Sequence, residues 1–148
     1  MGGASNPMLR LTACALLLAS PAAAWEFTPT PVCTLSQTGA VDIVLTYDPM
    51  LPEYTLTITT DGMWPTGQPF FMTFDNWRPA RIQTDRQTVS PDGRSLTVRD
   101  SGFGNVLDGM AFGDQTQAGI GDTVVTIPTA GISAPMQAFR ACETAALS

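Results

Sequence analysis

The sequence contains neither histidine nor lysine, and its seven basic residues are all arginine. Without histidine there is no imidazole general base, no Ser-His-Asp or Cys-His catalytic couple and no histidine metal ligand. Without lysine there is no Schiff-base amine and no Walker A loop. These absences exclude whole classes of chemistry, and we expect a protein without enzymatic activity and without a cofactor.

Cysteine is scarce as well, with three in the chain. One of them, Cys14, lies in an N-terminal apolar run, which leaves Cys33 and Cys142 near opposite ends of the remaining sequence. Two cysteines are too few for a cysteine-rich zinc site. We predict that they form a disulfide that ties the first strand to the last element, in an oxidising compartment, and closes a loop of roughly 110 residues.

The N-terminal apolar run has the parts of a secretory signal peptide. Arg10 supplies a positive charge, residues 11–19 supply a short apolar segment, and residues 22–24 supply an Ala-x-Ala cleavage site. The apolar segment is about half as long as the roughly 20 residues that a membrane-spanning helix needs. We therefore expect residues 1–24 to be a cleaved signal peptide and the mature protein to be periplasmic.

Residues 25–148 suit a single domain with a modest core, and the choice of Met1 or Met8 as the start does not change them. We find no other segment that is long enough to span a membrane. The formal net charge of the chain is −6. Because a phosphate backbone or an anionic membrane surface would repel such a protein, we expect no nucleic-acid partner.

Most of the predicted mature chain alternates apolar and polar residues with a period of two, which is typical of half-buried strands. Val41, Ile43 and Leu45 form one such run, and residues 54–59 form another. Residues 48–52 contain two prolines, which cannot donate ladder hydrogen bonds, so we predict a hairpin turn there. Turn residues also separate further predicted strands, at residues 70–74, 80–84, 87–90, 95–99 and 123–127.

Two segments show helical spacing instead. One helix is predicted after Gly102-Phe103-Gly104, with Asn105 as its N-cap and an apolar face formed by Val106, Leu107, Met110 and Ala111. A final helix is predicted from an N-cap at Ser133 through Pro135 to Cys142. We therefore predict a β-rich α+β fold, an antiparallel sheet or sandwich with two short helices and one disulfide.

An aromatic and arginine-rich stretch is the first candidate site. Trp64 and Trp77 lie in turn-like surroundings, where their rings could stack on a sugar, a peptide or a hydrophobic ligand. The alternative is core packing, which we expect for the residues that share one strand face, Phe70, Met72 and Phe74. The candidate binding residues are therefore Trp64, Trp77, Arg78 and Arg81.

Acidic residues form the second candidate, and almost all of them lie beside glycine or asparagine: Asp61, Asp75, Asp92, Asp108, Asp114 and Asp122. Converging carboxylates could bind calcium or supply the acid and the nucleophile of glycoside hydrolysis. Asp-Gly is also ordinary turn chemistry, and no segment matches an EF-hand loop. We expect these residues to serve turns rather than a metal or catalytic site.

Residues 100–109 are the third candidate, because their glycines lie at a strand-to-helix junction where free N–H groups could hold an anion. The segment lacks the glycine spacing of a dinucleotide-binding loop. Ser101 would have no base beside it as a nucleophile. We expect Gly102-Phe103-Gly104 to be a tight connection.

Several segments resemble a group of small exported proteins of alphaproteobacteria: Trp25-Glu26-Phe27, Pro31-Val32-Cys33, Tyr47-Asp48-Pro49, residues 102–109 and residues 138–142. Some members of that group carry the name of the helicase-like DNA-repair ATPase of the excinuclease ABC system. This short chain contradicts that name, because it has an export signal and no ATP-binding lysine. More loosely, the order of helix, strand 124–127, Gly131 and last helix is similar to the C-terminal part of invasion-associated locus B proteins, which are exported and β-rich. These resemblances imply no catalytic residues.

The sequence as a whole favours a non-enzymatic periplasmic binding protein or envelope accessory protein, whose partner is an envelope protein or a small ligand. One alternative is an inhibitor of a basic envelope hydrolase such as lysozyme, in which exposed Asp and Glu side chains meet the positive cleft of the enzyme. Another is a carboxylate-dependent hydrolase, which requires two aspartates about 5 to 9.5 Å apart in a cleft. The oligomeric state is left open.

Overall fold

The structure, a computed structural model, describes residues 2–3, 24–75, 80–113 and 115–146 of the chain. The predicted signal peptide therefore lies almost wholly outside the described residues, as do Trp77, Arg78 and Asp114. In chain order the elements are β1 (Trp25–Thr28), β2 (Cys33–Gln37), β3 (Asp42–Asp48), β4 (Glu53–Thr59), β5 (Phe70–Asp75), β6 (Ala80–Thr84), β7 (Gln87–Val89), β8 (Ser95–Asp100), α1 (Gly104–Phe112), β9 (Gln115–Ile120), β10 (Thr123–Ile127) and α2 (Ser133–Ala146).

The strands form two antiparallel sheets. The six-stranded sheet, called sheet A, has the order β1-β2-β3-β4-β8-β7, and the four-stranded sheet, called sheet B, has the order β10-β9-β5-β6. The predicted hairpin is confirmed, because β3 and β4 pair antiparallel with Leu45 opposite Leu56. The β-rich α+β fold with antiparallel sheets and two helices is therefore the one that the sequence predicts.

The core lies between the inner faces of the two sheets. In β3 and β4 every second residue is buried, as the period-two pattern predicts. Sheet A contributes Leu45 and Leu56, and sheet B contributes the predicted core residues Phe70, Met72 and Phe74. Burial of these side chains is the main favourable contribution to folding, about 1.5 to 3 kcal/mol for each large apolar side chain.

Helix α1 follows β8 and packs against β5 and β9. Its Gly109 has no room for a side chain, since an added Cβ would lie 2.5 Å from the Phe74 ring. The predicted N-cap Asn105 is wrong: the helix begins at Gly104, and Phe103, which occupies the cap position, makes no side-chain capping hydrogen bond. Phe103 is buried, and the helix starts directly after it, at Gly104 and not after Asn105.

Helix α2 packs against β1 and β2 at one end of sheet A, with Met136 and Phe139 buried. The predicted disulfide is confirmed, since Cys33 and Cys142 are bonded with a Cα–Cα distance of 6.0 Å. Cys33 lies in the second strand of the fold rather than the first, because β1 precedes it. The disulfide thus fixes the last helix to sheet A.

Two strands were missing from the sequence-based prediction. One is β1, and the other is β9, which lies between β5 and β10 in sheet B. The sequence pattern predicts no strand between the first helix and residue 123. Residues 115–120 instead form the first strand of a hairpin, and Gly121 provides the positive φ of 57° that its turn requires.

Candidate functional site

A pocket opens between the two sheets, beside the start of α1. We call it the inter-sheet pocket; its volume is about 190 Å³, and it is lined by Leu56, Phe70, Met72, Ile82, Gln83, Thr84, Val98, Asp100, Gly102, Phe103, Asn105 and Val106. Strands of both sheets and the segment that enters α1 supply these residues. The pocket therefore lies between the two sheets and is not confined to the surface of one of them.

The interior of the pocket is apolar because its residues occupy the inward positions of their strands. Leu56, Val98 and Met72 are buried, and Val106 closes the pocket from α1. The gap arises at the edge of sheet B, where β6 directs the partly buried Ile82 and Thr84 toward the pocket. These side chains are too small to fill the space opposite β8, so an apolar cavity remains accessible.

The rim of the pocket is polar. Gln83, Thr84 and Asn105 carry amide and hydroxyl groups that both donate and accept hydrogen bonds. Asp100 also lines the rim; its Oδ2 lies 3.8 Å from Arg86 Nη1, and its Oδ1 accepts a hydrogen bond from the Ser101 N–H at 2.7 Å. A molecule with an apolar body and a polar end would match this combination of interior and rim.

A stack of aromatic rings supports the wall of the pocket. The Phe103 ring lies 5.4 Å from Tyr54, and Tyr54 lies 4.6 Å from Tyr47. The Tyr54 hydroxyl donates a hydrogen bond to Glu143 Oε2 at 2.8 Å. Burial first, and then Glu143, raise the pKa of Tyr54 well above its ordinary value. The phenol therefore keeps its proton, and its hydrogen bond to Glu143, to a higher pH than an exposed tyrosine would.

Trp64 does not form a surface binding site, which corrects the hypothesis based on its turn-like surroundings. Its side chain is 3% exposed. The indole N–H donates to the carbonyl oxygen of Ile58 at 3.2 Å, and the backbone N–H donates to the carbonyl oxygen of Gly93 at 2.7 Å. The sequence pattern around Trp64 is that of a turn, but the ring folds back onto β4 and completes the core.

Arg81 is exposed on β6, and its guanidinium lies 4.2 Å from the centre of the Phe71 ring. Phe71 and Arg81 both occupy outward positions of sheet B, so this pair faces away from the inter-sheet pocket. The other two candidates, Trp77 and Arg78, lie outside the described residues. The structure therefore does not bring the described candidates Trp64 and Arg81 to one site.

The described aspartates of the acidic set are exposed and lie on separate elements or turns. Asp92 serves a turn, since it accepts hydrogen bonds from the Ser90 hydroxyl at 2.5 Å and the Arg94 N–H at 3.1 Å. These two hydrogen bonds, the one from Ser90 above all, lower the pKa of Asp92. Asp108 pairs instead with Arg140 at 2.6 Å and joins the two helices. Within the described ranges, no three potential ligand residues are placed to hold a metal ion.

The glycine-containing segment before α1 is a connection between β8 and the helix. The Phe103 carbonyl accepts the Leu107 N–H at 2.9 Å and starts the helical hydrogen bonding. Ser101 has a carboxylate beside it, contrary to our expectation, because its hydroxyl lies 3.4 Å from Asp100 Oδ1. Ser101 is exposed and Asp100 is partly exposed, so this contact lies at the surface of the connection.

The turn between β3 and β4 projects two large apolar side chains into solvent. Met50 is 89% exposed and Leu51 is 63% exposed, and the acidic residues Asp48 and Glu53 flank them. Asp48 Oδ1 accepts the Met50 N–H at 2.9 Å, which helps to hold the turn in one conformation. We call residues 48–53 the hairpin tip.

Comparison with protein-family models, with curated proteins and with solved structures finds no match to this chain. The resemblances drawn from the sequence stay predictions. Neither α1 nor α2, the helices of the described part, is long and apolar enough to cross a membrane.

Five of the pocket residues, Asp100, Gly102, Phe103, Asn105 and Val106, belong to the segment 100–109 that is the third sequence-based candidate, whereas the others are not candidates. Met72 is predicted to pack in the core, but alternation alone cannot reveal that the space between two inward faces is incompletely filled. The only local signal is the run of small and medium inward residues on β6.

Proposed function

We propose that this chain is a non-enzymatic periplasmic binding protein whose ligand is a small molecule with an apolar body and a polar end. The inter-sheet pocket is the observation that carries the proposal. Its interior is apolar and its rim carries hydrogen-bonding groups, which is the usual combination in small-molecule sites. The disulfide and the predicted signal peptide support an oxidising, extracytoplasmic compartment.

The size of the pocket limits the ligand. An apolar cavity of about 150 Å³ is enough to hold a benzene molecule, whereas sites for drug-sized ligands start at about 300 Å³. The inter-sheet pocket, at about 190 Å³, therefore suits a single ring system or the end of an acyl chain. Asp100 on the rim and the formal charge of −6 disfavour a strongly anionic ligand.

Titration of the purified protein with two probes tests this proposal. Indole represents a ring and 1-hexanol represents a chain, and amide chemical shifts report which residues respond. We expect saturable shifts at Val98, Val106 and the rim residue Asn105. Shifts scattered over the surface, or no saturation, would contradict a specific site.

A matched pair of variants sharpens the test. Ile82 lines the pocket from the edge strand β6, whereas Val124 is 45% exposed on β10, the opposite edge of the same sheet. Ile82→Trp should fill the cavity and weaken probe binding at least tenfold, which corresponds to about 1.4 kcal/mol. Val124→Trp adds the same ring outside the pocket and should leave affinity within about twofold of the original. Equal affinities for the two variants would rule out the pocket as the binding site.

The hairpin tip favours a second function, inhibition of a basic envelope hydrolase such as lysozyme. Met50 and Leu51 project from the fold, and Asp48 and Glu53 place negative charge on both sides of them. Apolar anchors surrounded by acidic residues would fit a positively charged cleft, and their association would weaken as salt screens the charges.

A lysozyme activity assay with the purified protein tests this second function. We expect inhibition at low salt that decreases at high salt and is lost in the double variant Met50→Ser/Leu51→Ser. Met63→Ser is the control, because Met63 is 71% exposed but lies outside the tip. Inhibition that persists in the double variant, or no inhibition at low salt, would exclude this role for the tip.

A further inference from the structure

Within the part of the chain that the structure describes, the two sheets end in four edge strands, namely β1 and β7 in sheet A and β6 and β10 in sheet B. An edge strand presents unpaired N–H and C=O groups to solvent and can pair with another chain. Natural proteins protect such edges with charged side chains, with very short strands or with a covering element. The four edges of this protein differ in how well they are protected.

Three of the edges carry such protection. β1 contains the charged residue Glu26 and is packed against α2. β7 has only three residues, and the Gln87 side chain donates a hydrogen bond to the carbonyl oxygen of Gln68 at 2.7 Å. β6 contains the exposed charge of Arg81. Each of these edges is therefore a poor template for a new strand.

In the described ranges, the β10 edge shows none of these features. Its sequence, Thr-Val-Val-Thr-Ile, contains neither a charge nor a proline and consists only of residues that favour strands. Among the described residues, its backbone forms ladder hydrogen bonds with β9 alone. Val124 is 45% exposed on the outer face, and Val125 is only partly buried although it packs against the core. This edge is thus both unpaired and incompletely covered.

We propose that two copies of this chain associate through antiparallel pairing of their β10 strands, so that sheet B continues from one copy into the other. A two-fold axis perpendicular to the sheet relates the copies and passes beside Val125. In this register Val125 lies opposite its own counterpart, Val124 lies opposite Thr126, and Thr123 lies opposite Ile127. Inner-face residues meet inner-face residues, as antiparallel pairing requires.

A second copy fits this edge because the paired strands would place no charge opposite another and would bring the two partly buried Val125 side chains together. Two molecules that each carry a formal charge of −6 repel each other, and the repulsion is least where neither surface carries a charge. Strand β10 supplies such a surface, and its symmetric register creates no like-charge pair. The two Val125 side chains would also cover each other and extend the core across the axis. An isologous contact of this kind closes after two copies.

Sedimentation velocity of the purified protein over a range of concentrations tests the proposal. We expect the fraction of dimer to increase with concentration. The double variant Val124→Glu/Thr126→Glu places like charges opposite each other across the axis and should reduce dimer formation at least tenfold. Thr88→Glu/Gln115→Glu adds the same charge to outward positions of β7 and β9, and it should associate as the original protein does.

A charge reversal then tests the register. Val124→Lys/Thr126→Glu places opposite charges across the same axis and should restore the dimer, more strongly at low salt than at high salt. A protein that is monomeric at every concentration would overturn the proposal. So would a dimer that survives Val124→Glu/Thr126→Glu, because the contact would then lie elsewhere.

A covalent test does not depend on the charged variants. Residues directly opposite in an antiparallel pair have Cα atoms about 4.5 to 5.5 Å apart, which is within the range of a disulfide. In a Cys14→Ser background, Val125→Cys should therefore form a disulfide-linked dimer under mild oxidation, whereas the matched variant Thr88→Cys on edge strand β7 should not. Equal cross-linking of the two variants would overturn the proposal, as would a cross-link from residue 125 to an unrelated protein in place of a second copy.

Discussion

Tyr54 in sheet A and Glu143 in the last helix are joined by a hydrogen bond of 2.8 Å, one residue beyond the disulfide at Cys142. The phenol lies between Tyr47 and Phe103, so its ring is fixed on both sides. The hydrogen bond and the disulfide together attach α2 to sheet A, and the same ring stack supports the wall of the inter-sheet pocket.

We therefore expect Tyr54→Phe to keep the ring stack and lose only the hydrogen bond. A hydrogen bond to a charged group contributes about 1.5 to 3 kcal/mol when buried, and partial exposure of this one reduces the expected loss to about 1 kcal/mol. Urea unfolding at neutral pH measures the difference. Thr55→Ser, at the neighbouring outward position, is the control. A Tyr54→Phe protein as stable as the original would show that the bond does not hold α2.

The same residue should make stability depend on alkaline pH. Because burial and Glu143 raise the pKa of Tyr54, the folded protein retains the phenolic proton at a pH where the unfolded chain has lost it. This contribution is fully present below the ordinary tyrosine pKa of about 10 and decreases as the pH increases above that value. Unfolding free energies between about pH 8 and pH 11 should fall more steeply for the original protein than for Tyr54→Phe. Parallel curves would contradict this assignment.

Loss of the disulfide should destabilise the fold strongly. Cys33 and Cys142 are 109 residues apart, and closing a loop of that length restricts the unfolded chain by about 4 to 5 kcal/mol in the chain-entropy model. We expect Cys33→Ser/Cys142→Ser to lose roughly this amount in urea unfolding. Reduction of the original protein should reproduce the effect and should not alter the variant further. A loss below about 1 kcal/mol would indicate that the helix docks without the bond.

Two glycines of α1 should respond oppositely to alanine. An added Cβ at Gly109 would meet the Phe74 ring at 2.5 Å, whereas one at Gly104 would meet nothing within 4 Å. Gly109→Ala should therefore lose about 1 to 3 kcal/mol through overpacking. Gly104→Ala should be neutral or gain up to about 1 kcal/mol, because alanine favours the helix. Thermal unfolding of both variants checks the prediction, and a stabilising Gly109→Ala would contradict the close packing of α1 on β5.

Trp64 should behave as a core residue. Trp64→Phe keeps an aromatic ring but removes the hydrogen bond to Ile58 and leaves part of the space of the indole unfilled. We therefore expect the free energy of unfolding to fall by about 1 to 2 kcal/mol. The variant should also lose a tryptophan signal that is poorly accessible to acrylamide. If stability is unchanged and the lost tryptophan fluorescence is one that acrylamide quenches readily, Trp64 lies at the surface.

The sequence predicts local patterns of this fold better than its site. Residue type and spacing predict the alternation in β3 and β4, the turn between residues 90 and 95, and the pairing of the two remaining cysteines. β9 was missed because Gly119 weakens its strand pattern; the structure requires glycine there because an added Cβ would lie 2.6 Å from the Phe71 ring. The predicted surface position of Trp64 is wrong because a turn-like sequence does not determine the direction of a side chain.

The inter-sheet pocket could not be predicted from residue patterns, because it depends on how two sheets face each other. Ile82 and Val98 belong to different sheets and meet only in the folded chain. Packing gaps are a property of the assembled core, whereas periodicity reports one strand at a time.

The chain passes repeatedly between the two sheets: from β4 in sheet A to β5 in sheet B, back to β7 in sheet A, and from β8 through α1 to β9 in sheet B. Neither sheet is therefore encoded by a continuous segment. A fragment that ends before β9 has only the β5–β6 hairpin of sheet B, which is too small to be stable alone. We therefore expect the protein to fold as one cooperative unit, dominated by non-local strand pairing, with a folding time in the range of milliseconds to seconds.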